Sequence, residues 1–288
     1  MPLSGLFVPL VTPFTPGGDL AADALERLAH DVLDDGAAGI VALGTTAETA
    51  ALTVDERSRV IDVCADVCAQ RDRPLIVGAG TSSTAESQTM VTSIDRRATA
   101  ALVVVPYYVR PTEQGVVEHF RQLAGASPVP LLVYNVPYRT GRPLAAGTLA
   151  ELARMPNIIG FKHAVGGIDD TTIEFMSRAL PHTTVLAGDD LFVAPMLVLG
   201  AAGAISASAN VATRAYADLL TAWRDGAVSV ARGLHDRLAP LVAALSAGPN
   251  PVVLKAVLHA QRRIPSPRVR LPLLPADPAM TAAALDAC

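Results

Sequence analysis

Eight short apolar segments alternate with amphipathic stretches along the chain, and this alternation constrains the fold more than any other feature. Each segment is continuously apolar, which is typical of strands buried on both faces of a parallel sheet. The segments are Leu6–Val11, Gly39–Leu43, Leu75–Ala79, Leu102–Val105, Leu131–Tyr134, Ile158–Phe161, Thr184–Ala187 and Ala202–Ser206. Eight strands, each followed by a helical stretch, predict an α/β fold, a (β/α)8 TIM barrel, with an open doubly wound sheet as the alternative.

The stretches between the strands carry helix signals. Thr53 and Glu56 form a capping-box pattern at the start of a helix predicted over Thr53–Gln70. The other helices predicted around the barrel are Asp19–Asp35, which begins at an Asp cap, Thr84–Arg97, Thr112–Ala124, Ala146–Ala153, Asp169–Leu180 and Asp190–Leu199.

Three more helical stretches follow the eighth strand, over residues 212–225, 228–246 and 251–262. The chain is then broken by Pro265, Pro267, Pro272 and Pro275, before a final short helix. No low-complexity linker separates this region from the rest, so we expect a helical extension packed on the barrel. The predicted division is a barrel core over residues 1–210, then the eighth barrel helix and the C-terminal extension over residues 211–288.

Composition narrows the class of protein. Hydrophobic residues make up 51% of the chain and the mean hydropathy is +0.37, so a large core is expected and disorder is not. A net charge of -4 argues against a nucleic-acid binder. The three cysteines are too few for a disulfide scaffold and predict reduced thiols in a cytoplasmic protein. The stretch Met1–Leu10 lacks the basic residues of a secretory signal.

One stretch is long enough to cross a membrane, because Leu191–Thr213 contains 23 residues without a charge. Pro195, Gly200 and Asn210 interrupt it, however. We therefore expect an apolar helix that ends near Leu199, a glycine turn and a short buried strand.

Catalytic groups of such barrels lie at the C-terminal ends of the strands, and Lys162 follows the sixth one. Of the 23 Lys and Arg residues, only Lys162 and Lys255 are lysines. Arginine keeps its proton, whereas a desolvated lysine can become a neutral nucleophile. The apolar run Asn157–Phe161 favours this role for Lys162, and the alternative is a lysine that reaches a helix carboxylate. Lys255, which follows Asn250, is predicted to be structural.

Other strand ends carry polar groups with two interpretations each. Tyr134 ends the fifth strand, where its phenol can transfer protons or simply cap the core. Thr45 and Thr46 follow Gly44 in a turn whose backbone N–H groups suit a carboxylate, although a plain turn has the same pattern. Arg139 can bind a carboxylate through two hydrogen bonds, or lie on the surface like most arginines.

Motifs for metal, nucleotide and serine-hydrolase chemistry are absent from the sequence. Asp189 is interpreted as a loop carboxylate and Asp190 as a helix cap, so no metal site is predicted. His163, the neighbour of Lys162, is interpreted as a supporting or structural histidine.

Six motifs follow one another at the strand ends. They are Gly44-Thr45-Thr46-x-Glu48, Pro106-Tyr107-Tyr108-x-Arg110-Pro111, Tyr134-Asn135-x-Pro137-x-Arg139-Thr140-Gly141, Gly160-x-Lys162, Gly188-Asp189-Asp190 and Gly203-Ala204-Ile205-Ser206. In kind and order they resemble the dihydrodipicolinate synthase / N-acetylneuraminate lyase family of pyruvate-dependent class I aldolases. The resemblance extends from Gly5 to about Pro275. The Arg-Thr-Gly element and the paired tyrosines are similar to the dihydrodipicolinate synthase branch.

The resemblance implies four catalytic residues. Lys162 would form a Schiff base with pyruvate, and Tyr134 would act as acid and base. Thr46 and Tyr108 would form the proton relay to solvent, with Tyr108 reaching into the site of a neighbouring subunit.

The resemblance also implies the substrate-binding residues. Thr45 and Thr46 would hold the carboxylate of pyruvate, with Ile205 and Gly188 at the same site. Arg139 would bind the carboxylate of L-aspartate 4-semialdehyde. The product would be 4-hydroxy-tetrahydrodipicolinate, an intermediate of lysine and diaminopimelate biosynthesis. No metal or organic cofactor, no nucleic acid and no membrane is implied; the expected assembly is a homotetramer or homodimer in the cytoplasm.

Several residues depart from the family pattern. Ala47, Tyr138 and His163 leave open which aldehyde is the physiological substrate, and Val54 and Ser82 leave open whether lysine inhibits. One alternative is another pyruvate-dependent aldolase, lyase or dehydratase acting on a sugar acid or a hydroxy-oxo acid. The second is a non-catalytic binding barrel.

Overall fold

Eight parallel strands pair in chain order and close into a barrel in the computed structural model, which describes residues 3–288. The strands are β1 (Gly5–Pro9), β2 (Gly39–Ala42), β3 (Leu75–Gly78), β4 (Ala100–Val104), β5 (Leu131–Asn135), β6 (Ile158–His163), β7 (Thr184–Ala187) and β8 (Gly203–Ile205). The predicted TIM barrel is confirmed. Met1 and Pro2, which open the stretch considered for a secretory signal, lie outside the described residues.

Helices follow the strands and continue beyond the eighth. They are α1 (Ala22–Asp34), α2 (Val54–Gln70), α3 (Thr84–Thr92), α4 (Glu113–Ala126), α5 (Pro137–Thr140), α6 (Ala146–Ala153), α7 (Asp170–Ala179), α8 (Val193–Val198), α9 (Ala209–Arg224), α10 (Val228–Leu245), α11 (Val252–Ala260) and α12 (Pro278–Asp286). Short 3₁₀ turns cover Thr45–Ala47, Thr49–Ala51 and Asp190–Phe192. The C-terminal helical extension is therefore present as expected.

Packing groups the chain into two compact units. The first is Ile76–Ile205 with the start of the chain up to Gly5, and the second is Leu6–Leu75 with Ser206–Cys288. The first contains β4–β8 and helices α3–α8; the second contains β2, helices α1 and α2, and helices α9–α12. The division into residues 1–210 and 211–288 stays a prediction.

The first unit has an aliphatic core with a few aromatic contacts. Strand residues such as Leu131 and Val133 are fully buried, as the continuous apolar runs predicted. Phe161 of β6 packs edge-on against Phe175 of α7, with ring centres 5.0 Å apart. This contact packs β6 against helix α7, so the face of the strand that carries Phe161 lies toward the helix layer.

The second unit buries Phe14 and Tyr216 completely. The side chain of Asn210, at the start of α9, bonds the backbone just after β1. It accepts from the Val11 N–H at 3.2 Å and donates to the Pro9 carbonyl at 2.8 Å. A buried amide with both ends satisfied anchors α9 to the chain segment after β1.

Some helix boundaries differ from the sequence prediction for local reasons. Helix α1 begins at Ala22 because Thr15 and Asp19 form a separate turn. Helix α3 ends at Thr92, and Asp95 bonds the backbone N–H of Arg97 instead of continuing the helix. Asp190 is not a helix cap: it begins a 3₁₀ turn, and Asp189 stands at the N-cap position.

The apolar stretch 191–213 is divided among α8, β8 and the start of α9. Across residues 3–288 no helix combines the length and the apolar character that crossing a membrane requires.

The capping box predicted at Thr53 is present. The Thr53 hydroxyl accepts from the Glu56 N–H at 3.2 Å, and the Glu56 carboxylate accepts from the Thr53 N–H at 2.9 Å. We expect Thr53→Ala to lower the free energy of unfolding by about 1 kcal/mol, since one helix N–H loses its acceptor. Urea denaturation measures this. Thr53→Ser keeps the hydroxyl and should stay near the wild-type value; equal losses in both variants would contradict the role of the cap.

Candidate active site

Tyr134 and Lys162 come together because β5 and β6 pair in a fixed register. The two residues are direct partners across the strands, so their side chains project from the same face. The Lys162 amine lies 4.5 Å from the centre of the Tyr134 ring. Both side chains are buried, with exposed fractions of 6% and 7%. This burial favours the interpretation of Lys162 as a desolvated amine over that of a lysine that reaches a helix carboxylate, and its catalytic role stays a prediction.

Burial changes the acid–base behaviour of Lys162. Loss of solvent lowers the pKa of its amine from 10.5 to about 8, against the opposing effect of Asp190, Tyr138 and Asp189. Desolvation disfavours the charged ammonium, so about a tenth of the amine is neutral at pH 7. A neutral amine in a buried position is a nucleophile toward a carbonyl carbon.

Gly188, at the end of β7, makes room for the lysine. A Cβ atom at this position would lie 2.9 Å from Cγ of Lys162 and 2.8 Å from Cβ of Ala164. Any larger residue would displace the Lys162 stem, because Cβ contacts this short do not occur. Its predicted contact with substrate stays a prediction.

Asp189 follows Gly188 and is held by the backbone. Its carboxylate accepts a hydrogen bond of 2.6 Å from the N–H of Gly166. Burial raises the pKa of Asp189, and the Gly166 hydrogen bond opposes this. The carboxylate is therefore a fixed acceptor at the edge of the site, in agreement with its interpretation as a loop carboxylate.

Arg139 lies on the short helix α5 beside Tyr138, and both side chains are exposed. The Arg139 Nε donates to the Tyr138 hydroxyl at 3.0 Å, and its guanidinium carbon lies 5.0 Å from the Tyr138 ring centre. Helix α5 ends at Gly141, with a left-handed φ of 65°. Because Nε is used by Tyr138, the two terminal nitrogens of Arg139 remain as the pair that can bind a carboxylate.

The paired tyrosines after β4 are solvent-facing in the single chain. Tyr108 is 90% exposed and Tyr107 is 40% exposed. Tyr108 also has a φ of 68°, which is uncommon for residues other than glycine. That Tyr108 serves a neighbouring subunit stays a prediction.

His163 faces away from Lys162, because successive side chains of a strand alternate in direction. Its ring stacks on Phe175 at 5.0 Å, and its two nitrogens lie 3.4 Å from Asn135 Nδ2 and Thr172 Oγ1. Burial lowers the pKa of His163 to about 4, so the imidazole is neutral. The His163 side chain, which departs from the family pattern, therefore packs in the helix layer.

Ile205, at the end of β8, is fully buried. Thr45 and Thr46 belong to the second unit and form a 3₁₀ turn after β2. Thr45 is exposed, and Thr46 is 3% exposed. The Thr46 hydroxyl accepts a hydrogen bond of 3.0 Å from the side-chain nitrogen of Asn250. Sequence reasoning named both threonines but did not connect Thr46 with Asn250.

A buried ion pair supports this turn. Lys255 and Glu48 have side-chain exposures of 0% and 2%, and their charged atoms are 2.8 Å apart. The Lys255 amine also donates to the Thr12 carbonyl at 2.9 Å and lies 4.0 Å from the Phe14 ring centre. The other Glu48 oxygen accepts from the Arg270 N–H at 2.8 Å. Lys255 is structural, as predicted, but the sequence analysis did not identify Glu48 as its partner. The available signal was that the chain has only two lysines among its 23 basic residues and keeps one of them here.

No group of three or more His, Cys, Asp or Glu side chains within residues 3–288 is arranged to hold a metal ion. Cys64 and Cys68 are buried thiols, and burial raises the pKa of both. Raised thiol pKa values make these cysteines poor nucleophiles.

The buried ion pair has a measurable consequence for stability. We expect Glu48→Gln to lower the free energy of unfolding by about 3–5 kcal/mol, because Lys255 would keep a buried charge without its partner. Denaturant titration measures the loss. The matched control is Glu48→Gln with Lys255→Met, which removes both charges and should recover much of it. A single variant as stable as wild type would contradict this account.

Comparison with known proteins agrees with these features. Residues 2–286 match the Dihydrodipicolinate synthetase family. The 4-hydroxy-tetrahydrodipicolinate synthases of Pseudomonas aeruginosa and Methanothrix thermoacetophila are 40% and 39% identical over 272 residues, which is 94% of this chain and 92% and 91% of theirs. The crystal structure of a chloride-inhibited dihydrodipicolinate synthase from Acinetobacter baumannii complexed with pyruvate has a TM-score of 0.94 and 33% identity, covering 99% of this chain and 97% of that one. The resemblance in the motifs is confirmed, and the chain belongs to the dihydrodipicolinate synthetase family.

Proposed function

We propose that this protein is a 4-hydroxy-tetrahydrodipicolinate synthase, which condenses pyruvate with L-aspartate 4-semialdehyde. The observation that carries the proposal is the buried Lys162 amine, 4.5 Å from the Tyr134 ring and with its pKa lowered to about 8 by burial. The names of the relatives at 39% and 40% identity support the substrate assignment. A binding barrel has no need of a nucleophilic amine at this place.

Lys162 begins the reaction. Its neutral nitrogen attacks the ketone carbon of pyruvate, and loss of water from the carbinolamine leaves an iminium. The iminium withdraws electrons, so the pyruvate methyl group loses a proton and becomes an enamine carbon. This carbon attacks the aldehyde carbonyl and forms the new carbon–carbon bond. The amino group of the aldehyde substrate then displaces Lys162 and closes the ring.

Proton transfer is assigned to three hydroxyl groups. Tyr134 protonates the carbinolamine oxygen and the aldehyde oxygen. Thr46 and Tyr108 connect Tyr134 with solvent, and Tyr108 comes from a second copy of the chain in a homotetramer or homodimer. The 90% exposure of Tyr108 in the single chain supports this assembly, since a large exposed aromatic side chain is typical of an interface.

Substrate binding uses charge and hydrogen bonds. Thr45 and Thr46 hold the pyruvate carboxylate, with Ile205 and Gly188 at the same site. The terminal nitrogens of Arg139 bind the carboxylate of aspartate semialdehyde and orient its carbonyl, which can contribute several kcal/mol to the rate. No cofactor enters this scheme. A biosynthetic role of this kind supports a location in the cytoplasm.

Tyr138 favours one second candidate. Its hydroxyl already occupies the Arg139 Nε at 3.0 Å, and its phenol can bind hydroxyl groups of a substrate. The second candidate is therefore a pyruvate-dependent aldolase, lyase or dehydratase that acts on a sugar acid or a hydroxy-oxo acid. Assays with a panel of aldehydes separate the two, since the synthase should prefer aspartate semialdehyde.

Borohydride reduction in the presence of pyruvate should attach one pyruvate-derived group to Lys162, as seen by peptide mass spectrometry. The trapping rate should rise about tenfold per pH unit up to a pKa near 8 and then level off, because only the neutral amine reacts. Lys162→Arg should give no adduct.

Lys255 is the internal control for this experiment. Burial lowers its pKa to about 8 as well, but Glu48 holds its amine in an ion pair. Lys255 should stay unmodified. An unmodified Lys162 in folded wild-type protein would overturn the proposed function.

Arg139→Ala should raise the KM for aspartate semialdehyde about 10- to 100-fold, since a charged hydrogen-bond donor to a carboxylate is lost. The KM for pyruvate and the borohydride adduct should change little. Arg142→Ala is the matched control from the same loop, where Arg142 lies 3.8 Å from Glu113. Equal losses for both substrates would contradict the role of Arg139.

A further inference from the structure

We infer that Tyr138 is a positioning residue, whose phenol oxygen occupies Nε of Arg139 and leaves the two terminal nitrogens as the edge that receives a carboxylate. The inference rests on the proposed function and deepens it, because it names the residue that sets how Arg139 meets the aldehyde substrate. Tyr138 is one of the residues that depart from the family pattern, so the resemblance does not imply this contact.

The backbone that carries Arg139 is already fixed. Helix α5 begins with Pro137. The carbonyl of Val136 accepts from the N–H of Arg139 at 3.0 Å and from that of Thr140 at 3.1 Å. The helix ends at Gly141, whose N–H donates to the Pro137 carbonyl at 2.8 Å. A single turn held in this way fixes the Cα atom of Arg139, so the freedom that remains lies in its long side chain.

Tyr138 restrains this side chain at two points. Nε of Arg139 donates to the Tyr138 hydroxyl at 3.0 Å, and the guanidinium carbon lies 5.0 Å from the centre of the Tyr138 ring. A guanidinium group can meet a carboxylate side-on, through Nε and one terminal nitrogen, or end-on, through both terminal nitrogens. Because the Tyr138 oxygen accepts from Nε, a substrate carboxylate meets the end-on edge.

The phenol holds Arg139 without cancelling its charge. Partial loss of solvent raises the pKa of Tyr138, against the opposing effect of Arg139, so the phenol is neutral at neutral pH. Arg142, in the same loop, shows the other arrangement, because its guanidinium lies 3.8 Å from the carboxylate of Glu113. A carboxylate partner would compete with a substrate carboxylate for Arg139, whereas a neutral oxygen leaves the positive charge for the substrate.

The pair lies near the amine that the proposed reaction uses. Tyr138 and Arg139 follow shortly after Tyr134, which is the partner of Lys162 across β5 and β6. Both residues act on the pKa of the Lys162 amine, which Tyr138 raises and Arg139 lowers. Electrostatic effects weaken with distance. The edge at which Arg139 receives the carboxylate therefore affects how the aldehyde carbon is placed relative to Lys162.

The first test compares Tyr138→Phe with wild type. The side chain is 63% exposed, so the fold should stay intact. We expect the KM for aspartate semialdehyde to rise about 3- to 10-fold, which corresponds to the loss of one hydrogen bond, while kcat falls less than about threefold. The KM for pyruvate and the yield of the borohydride adduct should stay within about twofold of wild type. An unchanged KM for aspartate semialdehyde would overturn the inference.

Two controls separate this role from others. Tyr107→Phe removes the same hydroxyl group from a tyrosine that is 40% exposed and follows β4; equal KM losses in both variants would overturn the inference. Glyceraldehyde tests the second candidate function. A larger loss of kcat/KM with glyceraldehyde than with aspartate semialdehyde in Tyr138→Phe would also overturn it, because the phenol would then bind substrate hydroxyl groups itself.

A double variant tests whether Tyr138 acts through Arg139. Arg139→Lys keeps a positive charge but has no Nε–H beside its terminal group. In this background Tyr138→Phe should change the KM for aspartate semialdehyde by less than about twofold, because the donor that Tyr138 engages is gone. Full additivity of the two substitutions would overturn the inference.

The failure of the proposed function has a different signature. A wild-type protein that forms no pyruvate adduct at Lys162, or that does not turn over aspartate semialdehyde, would overturn the proposed function itself. A wild-type protein that does both, together with an unchanged KM in Tyr138→Phe, would overturn the positioning role alone.

Discussion

The removal of one lysine amine from water is the physical constraint on which the proposed chemistry of this protein depends. Lys162 is buried in β6 beside Tyr134, and burial lowers its pKa to about 8. The neighbouring glycine at position 188 leaves space for the aliphatic stem. In water the same amine would hold its proton at neutral pH and could not attack a ketone. The barrel supplies the apolar wall, and the strand register supplies the partner residue.

The two lysines of the chain are both buried, and they differ in the residues that surround their amines. Burial lowers the pKa of Lys255 to about 8 as well, but Glu48 lies 2.8 Å from its amine and the Phe14 ring lies 4.0 Å away. A closely paired ammonium supports structure, because its charge is used and its lone pair is not available. For Lys162, the charges of Asp190 and Asp189 raise the pKa of the amine, and burial outweighs them. Desolvation is common to both lysines, and the ion pair with Glu48 gives Lys255 its structural role.

The strands and the family could be predicted from the sequence because both depend on local patterns. Continuous apolar runs located all eight strands within a few residues, and the strand-end motifs singled out Tyr134 and Lys162, which the structure places side by side. Contacts between distant residues could not be predicted in this way. Asn250 and Lys255 bind the turn after β2 from more than 200 residues downstream, and no local pattern carries that information. The direction of the His163 side chain could also be assigned only once the strand was known. His163 is next to Lys162 in sequence, but successive side chains of a strand point to opposite faces.

The ties between the turn after β2 and the end of the chain affect the order in which the molecule can be built. The partners of Thr46 and Glu48 are Asn250, Lys255 and Arg270, which lie 204, 207 and 222 residues further along. During synthesis these partners leave the ribosome last, long after β2 and its turn. Glu48 must therefore stay hydrated until then. The turn after β2 is translated before the other candidate site residues, and its contacts are completed only after the C-terminal helices have been made.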